Sequence, residues 1–395
     1  MTTALMVIFW VSVGLIVFTH FGYPAVLWAL EFIGLGNGAG HRRRVAASRF
    51  PAGPGVEVIG EEAPLPKVSL VIAAYNEEAV IAAKVENARS LDYPSDLLEV
   101  IVASDGSVDR TVELAEEAGA DLVLDLPRGG KLPAQNAAAE RATGEILAFS
   151  DANSTWEGGA LRELVQPFED PEVGYVCGRV DFTGPTGGNL EGLYWSWEMK
   201  VRTLESDFAG VTAGNGAIYA VRSSAYLPLD ASGSHDLSFP FLLAKDHLFS
   251  LYRPAARASE KVVPDLEGEL ARKRRMMIGV WDIVIGEGMI DPRGYRPSYA
   301  FEIFSHRVTR YATPFLHLVA FLANAALLGQ GTFWVVLFGL QLALLVAALV
   351  GRWVPALPFR VARYYVMTTA SIALGLWDRW RQGPPGRWEK AEGTR

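Results

Sequence analysis

The chain has 395 residues, a formal net charge of -8 at neutral pH and one cysteine. A single cysteine excludes an intramolecular disulfide and any metal site built on several cysteines. The acidic balance argues against a nucleic-acid partner, because binding a phosphate backbone requires a concentrated basic surface. Half of the residues are hydrophobic and 20% are charged, so the positions of the apolar residues decide the class of protein.

The first apolar run covers residues 4–30 and contains no Lys, Arg, Asp or Glu. It is longer than the ~20 residues that cross the hydrocarbon core of a bilayer. A cleaved signal peptide is the alternative, but the run is too long for one and lacks a basic start. We therefore predict a transmembrane helix within residues 1–34. Arg42, Arg43 and Arg44 follow it, and the positive-inside rule places the region after them in the cytosol.

The central region begins after a linker. Residues 35–66 are rich in Gly, Pro and Ala without periodicity, which predicts a juxtamembrane linker. From Lys67 onward, short apolar runs alternate with amphipathic stretches; the runs are 68–75, 98–104, 121–126 and 145–151. This alternation predicts an α/β fold with a Rossmann-like, mostly parallel sheet. Ligands of such sheets bind beyond the carboxyl ends of the strands, where Tyr75, Glu77, Asp105, Asp151 and Asn153 stand.

The C-terminal part is again apolar. Residues 311–329 and 332–351 are uncharged and predict a transmembrane hairpin over 311–351, with a buried soluble hairpin as the alternative. Residues 291–310 are predicted to be interfacial. Residues 352–395 hold a third apolar stretch at 361–377, transmembrane or interfacial, and a basic tail. The sequence thus predicts a multi-pass protein of the plasma (inner) membrane whose central domain is cytosolic.

Four motifs in the central region occur in a recognisable order. They are VSLVIAAYNEE at 68–78, VASDGSVDRT at 102–111, GGK and Asn136 ahead of AFSDAN at 148–153, and the glycine-rich residues around 213–222. Together they resemble glycosyltransferase family two, the inverting GT-A enzymes that include chitin, cellulose and hyaluronan synthases and dolichyl-phosphate sugar transferases. The resemblance covers about Lys67 to Trp281 and implies a GT-A domain over 67–290, flanked by the transmembrane helices.

The resemblance implies an enzyme of the cell envelope. It would move a sugar from a nucleotide diphosphate sugar, with UDP-sugars foremost, to a lipid-linked or cell-surface glycan acceptor. A processive polysaccharide synthase is one alternative. Another is a non-catalytic membrane scaffold that retains a nucleotide-sugar fold. A nucleotidyltransferase would share the sheet but would leave the later motifs unexplained.

The resemblance also assigns the nucleotide-sugar side of the site. Asp105 resembles the family aspartate that contacts the nucleoside, and Ala73, Tyr75 and Glu77 would wall the base and ribose. The alternative for Asp105 is a turn residue in Asp-Gly-Ser. Lys131 follows two glycines, where an ammonium group could approach a phosphate; a solvated lysine is the alternative.

A divalent cation, Mg²⁺ or Mn²⁺, is implied at Asp151 and Asn153, which stand where the family has Asp-x-Asp. Such a cation takes oxygen ligands and often keeps one or two carboxylates, with phosphates and water completing its shell. Asn153 supplies no charge, so more of the metal role falls on Asp151. The alternative for Asn153 is a helix N-cap before Trp156.

The catalytic base is expected at Asp236, because an alcohol becomes a competent nucleophile only as its proton is removed. His235-Asp236 matches the family's acidic pair, and His235 in place of an acid is expected to alter the pKa of the base. The alternative for Asp236 is a cap of the following helix, and Asp246 is the reserve candidate.

A later motif, Gln-x-x-Arg-Trp in polymerising members, aligns with residues 272–276. Arg275 keeps the arginine that grips the diphosphate, Arg272 replaces the glutamine, and the stacking tryptophan is lost unless Trp281 substitutes for it. The basic run there could instead face anionic lipid headgroups or solvent. Trp195 and Trp197, on a predicted helix over 188–206, are candidate acceptor contacts; interfacial or core aromatics are the alternative.

Overall fold

The computed structural model describes residues 1–33, 64–183, 190–230, 233–261 and 266–383. Most of the predicted linker therefore lies outside the described residues. The first half of the central domain contains, in chain order, β1 (Val68–Ala74), α2 (Ile81–Arg89), β2 (Leu98–Asp105), α3 (Thr111–Glu117), β3 (Leu122–Leu126), α4 (Lys131–Arg141), β4 (Ile146–Asp151), β5 (Thr155–Trp156) and α5 (Ala160–Val165). Its second half contains β6 (Val173–Thr183), α6 (Leu190–Phe208), β7 (Tyr219–Arg222), α7 (His235–Lys245), β8 (Phe249–Lys261) and α8 (Leu266–Trp281).

One eight-stranded sheet carries the domain, in the order β3-β2-β1-β4-β7-β6-β8-β5. The four strands predicted from the apolar runs form its parallel half. β7 runs antiparallel to both β4 and β6, and β5 runs antiparallel to β8, so the sheet is mixed, with six of its eight strands in one direction. The predicted strands end at residue 151 and do not include β7, and apolar periodicity is in any case the same for either direction of a strand.

Both faces of the sheet are buried. Every residue of β1 is buried, and its side chains alternate between two cores: Leu70 and Ile72 belong to one, and Val71 to the other. A strand covered on both faces needs a continuous apolar run, and VSLVIAA provides it. The polar side chains are therefore displaced to the strand ends, where the sheet is open.

The apolar ends of the chain form long helices. α1 covers Thr2–Phe32 with one π-helical turn at Phe18–Gly22. The predicted hairpin consists of α10 (Thr309–Ala326) and α11 (Thr332–Val350), with a short turn at Leu328–Gln330 between them. A small helix, α9 (Pro297–Glu302), precedes it. α1 packs against the hairpin, where Phe9 meets the ring of Trp334 at a centroid distance of 5.3 Å.

Two of these helices, α1 and α11, are long and apolar enough to cross a membrane. α10 falls outside that group and carries Arg310, His317 and Asn324. Many large apolar side chains of the three helices are exposed, among them Trp10, Val11, Phe21, Trp28, Leu318, Leu322, Phe333, Val336, Leu340, Val346 and Leu349. Contiguous apolar surface of this extent marks an interaction surface rather than a water-facing one.

The third apolar stretch lies inside a 26-residue helix, α12 (Leu357–Gln382). This helix packs along α8 of the central domain. A side chain at Gly375 would overlap Met277, so the two helices approach closely there. Arg379 pairs with Asp282 at 2.7 Å just beyond the end of α8, which fastens α12 to the central domain.

Candidate active site

The carboxyl ends of three neighbouring strands are level with one another. Ala73, near the end of β1, is in register with Ala103 of β2 and with Asp151 of β4. Tyr75, Asp105 and Asp151 therefore share one edge of the sheet, as the sequence predicts.

Asp105 organises the loop in front of α4. Its Oδ1 accepts hydrogen bonds from the backbone N–H groups of Gly129 at 2.6 Å and Gly130 at 2.8 Å. The close approach requires Gly106, which has φ +66° and whose missing Cβ would lie 2.8 Å from the backbone nitrogen of Arg128. The turn role and the site role of Asp105 are thus compatible, because Asp105 fixes the loop that leads to Lys131.

Arg128 is a site residue that the sequence reasoning missed. Its guanidinium pairs with the Asp105 carboxylate and lies 3.4 Å from the ring centroid of Tyr75. Arg128 directly precedes the two glycines that singled out Lys131, which was the available signal. Glu77 is only 1% exposed, so little of its side chain is open to a ligand.

Lys131 lies at the centre of the site. Its Nζ forms an ion pair with Oδ1 of Asp151. Burial alone would lower the pKa of Lys131, but the Asp151 carboxylate outweighs burial and raises that pKa above its ordinary value. Lys131 is therefore a permanent cation, and the solvated-lysine alternative does not describe its position.

Asp236 approaches the same cation from α7. It lies in the first turn of that helix, where the Ser234 hydroxyl donates a hydrogen bond to it. Its carbonyl oxygen accepts a hydrogen bond from Gly214 N–H at 2.6 Å. Gly216, two residues after Gly214, also lies against Lys131: a Cβ at Gly216 would be 3.4 Å from Nζ of Lys131. The charge of Asp236 helps to raise the pKa of Lys131. Three carboxylates that are distant in the chain thus surround one binding region.

His235, next to the expected base, turns into the core. Its Nδ1 lies 2.7 Å from the Tyr219 hydroxyl, and its ring packs against Phe149 and Phe239. Burial, together with the Lys131 charge, lowers the pKa of His235 to about 3. The ring is neutral at physiological pH and brings no charge to Asp236, which removes the basis for the expected effect on the base.

Asn153 follows Asp151 in a turn and is half-buried. The N-cap alternative is wrong, because Trp156 belongs to the short strand β5 and the next helix starts only at Ala160. In the described ranges, no three His, Cys, Asp or Glu side chains are grouped closely enough to hold a metal ion. A cation at Asp151 would therefore rely on ligand phosphates for most of its shell, as Mg²⁺ commonly does.

Comparisons with known proteins identify the family. The model of glycosyl transferase family 2 matches residues 69–223. An N-acetylglucosaminyltransferase of Rhizobium leguminosarum bv. trifolii is 32% identical over 129 residues, which are 30% of this chain and 70% of that protein. The chain belongs to glycosyltransferase family 2.

Other members of family 2 match less of their own length. The beta-monoglucosyldiacylglycerol synthase of a Nostoc species is 31% identical over 214 residues, or 49% of this chain and 45% of that protein. The glycosyltransferase AglE of Haloferax volcanii is 32% identical over 138 residues, or 34% of this chain and 45% of that protein. The chain therefore spans about half the length of these relatives.

A solved structure shares the GT-A fold along nearly the whole chain. It is the mannosyltransferase PcManGT from Pyrobaculum calidifontis, in complex with GDP-Man and Mn²⁺, with a TM-score of 0.68 and 20% identity. The similarity covers 95% of this chain and 99% of that one. At this identity the likeness establishes the fold alone.

The basic run expected at the family 2 arginine motif lies on α8. The side chains of Arg272 and Arg275 lie outside the described part of the structure. Between them, Arg274 forms a two-point ion pair with Asp378 at 2.5 and 2.8 Å, and Nζ of Lys273 donates to the Tyr364 hydroxyl at 2.7 Å. Two of the four cations thus bind α12, which replaces the solvated-face and headgroup interpretations for those two residues.

The three candidate acceptor tryptophans occupy different surroundings. Trp195 stacks on Phe182 at a centroid distance of 5.5 Å. Trp197 is 44% exposed on the same helix. Trp281 donates its indole N–H to the carbonyl of Ile372 at 3.1 Å. Trp281 is therefore part of the contact between α8 and α12 and is poorly placed to replace a stacking tryptophan for an acceptor sugar.

Proposed function

We propose that this family 2 protein is a membrane-bound inverting glycosyltransferase. It moves a sugar from a nucleotide diphosphate sugar to a lipid-linked or cell-surface glycan acceptor. The observation that carries the proposal is the arrangement at Lys131, which pairs with Asp151, feels the charge of Asp236 and follows the loop held by Asp105 at the open edge of the sheet. A scaffold that had lost its activity would have no reason to keep this set of charges together.

The donor would bind across the ends of β1, β2 and β4. Tyr75 and Arg128 offer a flat stacked surface for a base, and Asp105 holds that surface in place. Lys131 supplies a permanent positive charge for the diphosphate, where charge develops as the bond to the sugar breaks. A divalent cation held by Asp151 and Asn153 would add to this charge neutralisation. Arg272 and Arg275, on α8, are proposed as further diphosphate contacts.

Asp236 would act on the acceptor. As the acceptor oxygen bonds to the anomeric carbon, the bond from that carbon to the diphosphate oxygen breaks, and the hydroxyl proton passes to the Asp236 carboxylate. A single displacement of this kind inverts the anomeric configuration. Asp246, the reserve candidate, is exposed just past the other end of α7. Ten residues along a helix separate it from Asp236 by about 15 Å, which places Asp246 away from this chemistry.

A lipid or lipid-linked acceptor agrees with the surface of the molecule. The exposed apolar side chains of α1, α10 and α11 would lie in a bilayer, with the central domain in the cytosol. α12 would lie along the interface, because it is fastened to α8. The Nostoc relative is named for a glucosyldiacylglycerol product, so diacylglycerol is a reasonable first acceptor to test, beside polyprenyl phosphates.

Replacing the expected base tests the mechanism. Membranes containing the protein are incubated with UDP- and GDP-sugars and with diacylglycerol or polyprenyl phosphate, and products are identified by mass spectrometry. For a reacting pair whose acceptor attacks through a hydroxyl, such as diacylglycerol, Asp236→Asn should lower kcat by about 100-fold or more, while UDP or GDP binding by calorimetry is unchanged. Asp246→Asn is the matched control and should retain full activity. Transfer at the normal rate by Asp236→Asn would refute the assignment of the base.

A further inference from the structure

A buried cluster joins the long helices to the active site, at the carboxylate of Glu205. Glu205 is fully buried in α6. One of its oxygens accepts a hydrogen bond from the Tyr23 hydroxyl of α1 at 2.8 Å and lies 2.6 Å from Nδ1 of His306. Burial alone would raise the pKa of Glu205, but His306 and Arg307 outweigh burial and lower that pKa to about 2. An ionised carboxylate only accepts hydrogen bonds, so Nδ1 of His306 is the donor.

Thr212 connects this cluster to the rest of the domain. Its hydroxyl accepts a hydrogen bond from Nε of Arg307 at 2.8 Å and donates to Glu205 at 3.0 Å. Its backbone N–H also points to Glu205, at 3.3 Å. Thr212 is fully buried, so these contacts fix both its side chain and its backbone.

The segment 212–216 then runs into the active site. Gly214 donates its N–H to the carbonyl of Asp236 at 2.6 Å, and Gly216 lies against Lys131. The Gly214 amide is two residues from Thr212, a distance of at most ~7 Å along the chain. A shift of Thr212 would therefore be passed directly to the backbone that carries Asp236.

We propose that Thr212 is a positioning residue, which transmits the placement of α1 and of the start of the hairpin to the catalytic base. The inference rests on the proposed role of Asp236. In this arrangement Tyr23 and His306 act on Thr212 through Glu205, and Arg307 acts on it directly. Segment 212–216 then sets the position of Asp236. The base-binding part of the donor site, at Asp105 and Arg128, is held by contacts with the loop before α4 rather than by this chain of bonds.

The test removes hydroxyl groups rather than charges. Deleting one partner of a buried charge pair is strongly destabilising, so replacement of Glu205 or Arg307 would confuse positioning with folding. Thr212→Val keeps the shape of the side chain and removes the hydroxyl contacts with Arg307 and with both oxygens of Glu205. Thr212→Ser keeps the hydroxyl. Tyr23→Phe removes only the bond from α1. Thr313→Val is the matched control, because among the described residues the buried Thr313 hydroxyl bonds only to a carbonyl of its own helix.

The kinetic test is made on the full-length protein with the donor and acceptor pair found in the product screen. Thr212→Val should lower kcat by about 10–100-fold, since a small misplacement of a catalytic group has effects of that size. The KM for the donor should stay within about twofold. Tyr23→Phe should shift kcat in the same direction and by less, Thr212→Ser should recover most of it, and Thr313→Val should not change it. Equal kcat values for Thr212→Val and Thr313→Val would overturn the proposal.

Hydrogen exchange gives a second result that does not depend on activity. Peptides covering 212–216 should exchange faster in Thr212→Val and in Tyr23→Phe than in the parent, because their backbone hydrogen bonds open more often. Peptides covering β1 and β2 should be unchanged. Unaltered exchange in 212–216 would overturn the coupling. A parent protein that transfers no sugar in the screen would instead refute the proposed function, and the exchange result would stand by itself.

Discussion

At the scale of single residues, the chemistry of the site depends on which side chains are ionised at neutral pH. Lys131 is held as a cation by Asp151, whereas His235 is held neutral by its aromatic surroundings. Lys131 begins α4 and pairs with Asp151 in the site, whereas His235 begins α7 and turns its ring into the core against Tyr219. A sequence motif that treats position 235 as part of an acidic pair therefore describes a different side-chain orientation from the one in this protein.

The buried His235 should make stability depend on pH. Its pKa is about 3 in the folded protein and about 6.5 when unfolded. Between these values the unfolded chain binds a proton that the folded one does not, so the free energy of unfolding falls as the pH falls from about 6.5 to about 3. The slope from this group is at most about 1.4 kcal/mol per pH unit. Urea unfolding in detergent, followed by tryptophan fluorescence, should show a smaller pH dependence in His235→Gln.

Asp151 should make donor binding depend on metal. In the parent, Mn²⁺ should strengthen the binding of the reacting nucleotide sugar, measured by calorimetry with and without EDTA. Asp151→Ala should reduce this gain by roughly tenfold or more, because a charge-assisted contact contributes about 1.5–3 kcal/mol. Binding without metal should persist, since Lys131 remains. Asp96→Ala, an exposed acid ahead of β2, is the control, and an equal Mn²⁺ effect in both variants would contradict the role of Asp151.

At the scale of elements, segment 212–216 packs closely against β6. A side chain at Gly214 would overlap the hydroxyl of Tyr175. That hydroxyl is buried and lacks a hydrogen-bond partner among the described residues. The glycine therefore serves close packing, and the tyrosine hydroxyl contributes little that would be lost on its removal.

Gly214→Ala should destabilise the protein by about 1–3 kcal/mol, the usual cost of overpacking, and should lower kcat because Gly214 N–H holds Asp236. Tyr175→Phe alone should be close to neutral. The double variant should recover part of both losses, because the overlapping hydroxyl is gone. The recovery should be incomplete, because the ring of residue 175 would still crowd the new methyl group. Thermal melting and steady-state rates of the four proteins form the cycle that measures this coupling. Additive losses in the double variant would count against a direct clash.

The four strands β1 to β4 and the polar residues at their ends were predictable because they follow local patterns. Continuous apolar runs identify strands buried on both faces, and the polar residues after them are fixed by the register of neighbouring strands. Other features depend on contacts between distant segments. They are the direction of β7, the stacking of Arg128 on Tyr75 and the pairing of Arg274 with Asp378. Local spacing does not encode these contacts, so the sequence offered no signal of comparable strength.

At the scale of the whole molecule, the start of α1 lies beside the turn of the hairpin, and the other end of α1 lies against the central domain. Phe9, near the start of α1, meets Trp334 beside the hairpin turn, whereas Tyr23, nearer its other end, contacts Glu205 and His306 of the central domain. The N-terminus and the hairpin turn therefore lie at the end of the helices away from the sheet. In a membrane, these two points should emerge on the side opposite the active site.

Single cysteines can test this topology, because the only native cysteine, Cys177, is buried. Thr3→Cys and Gln330→Cys should react with a membrane-impermeant maleimide in intact cells. Glu86→Cys, on α2, should react only after the cells are lysed. All three positions are exposed in the structure. Labelling of Glu86→Cys in intact cells, or protection of Gln330→Cys, would contradict the proposed arrangement.

The contact of α12 with α8 has a consequence for which acceptors the enzyme can use. With Gly375 against Met277 on one side and Tyr23 bonded to Glu205 on the other, the reaction centre would be held at a constant height above the lipid surface. The acceptor would then need a spacer between its lipid tail and its hydroxyl that is long enough to reach that height. The enzyme would then discriminate between acceptors by the distance from lipid tail to hydroxyl, as well as by the chemistry of the group that carries the hydroxyl.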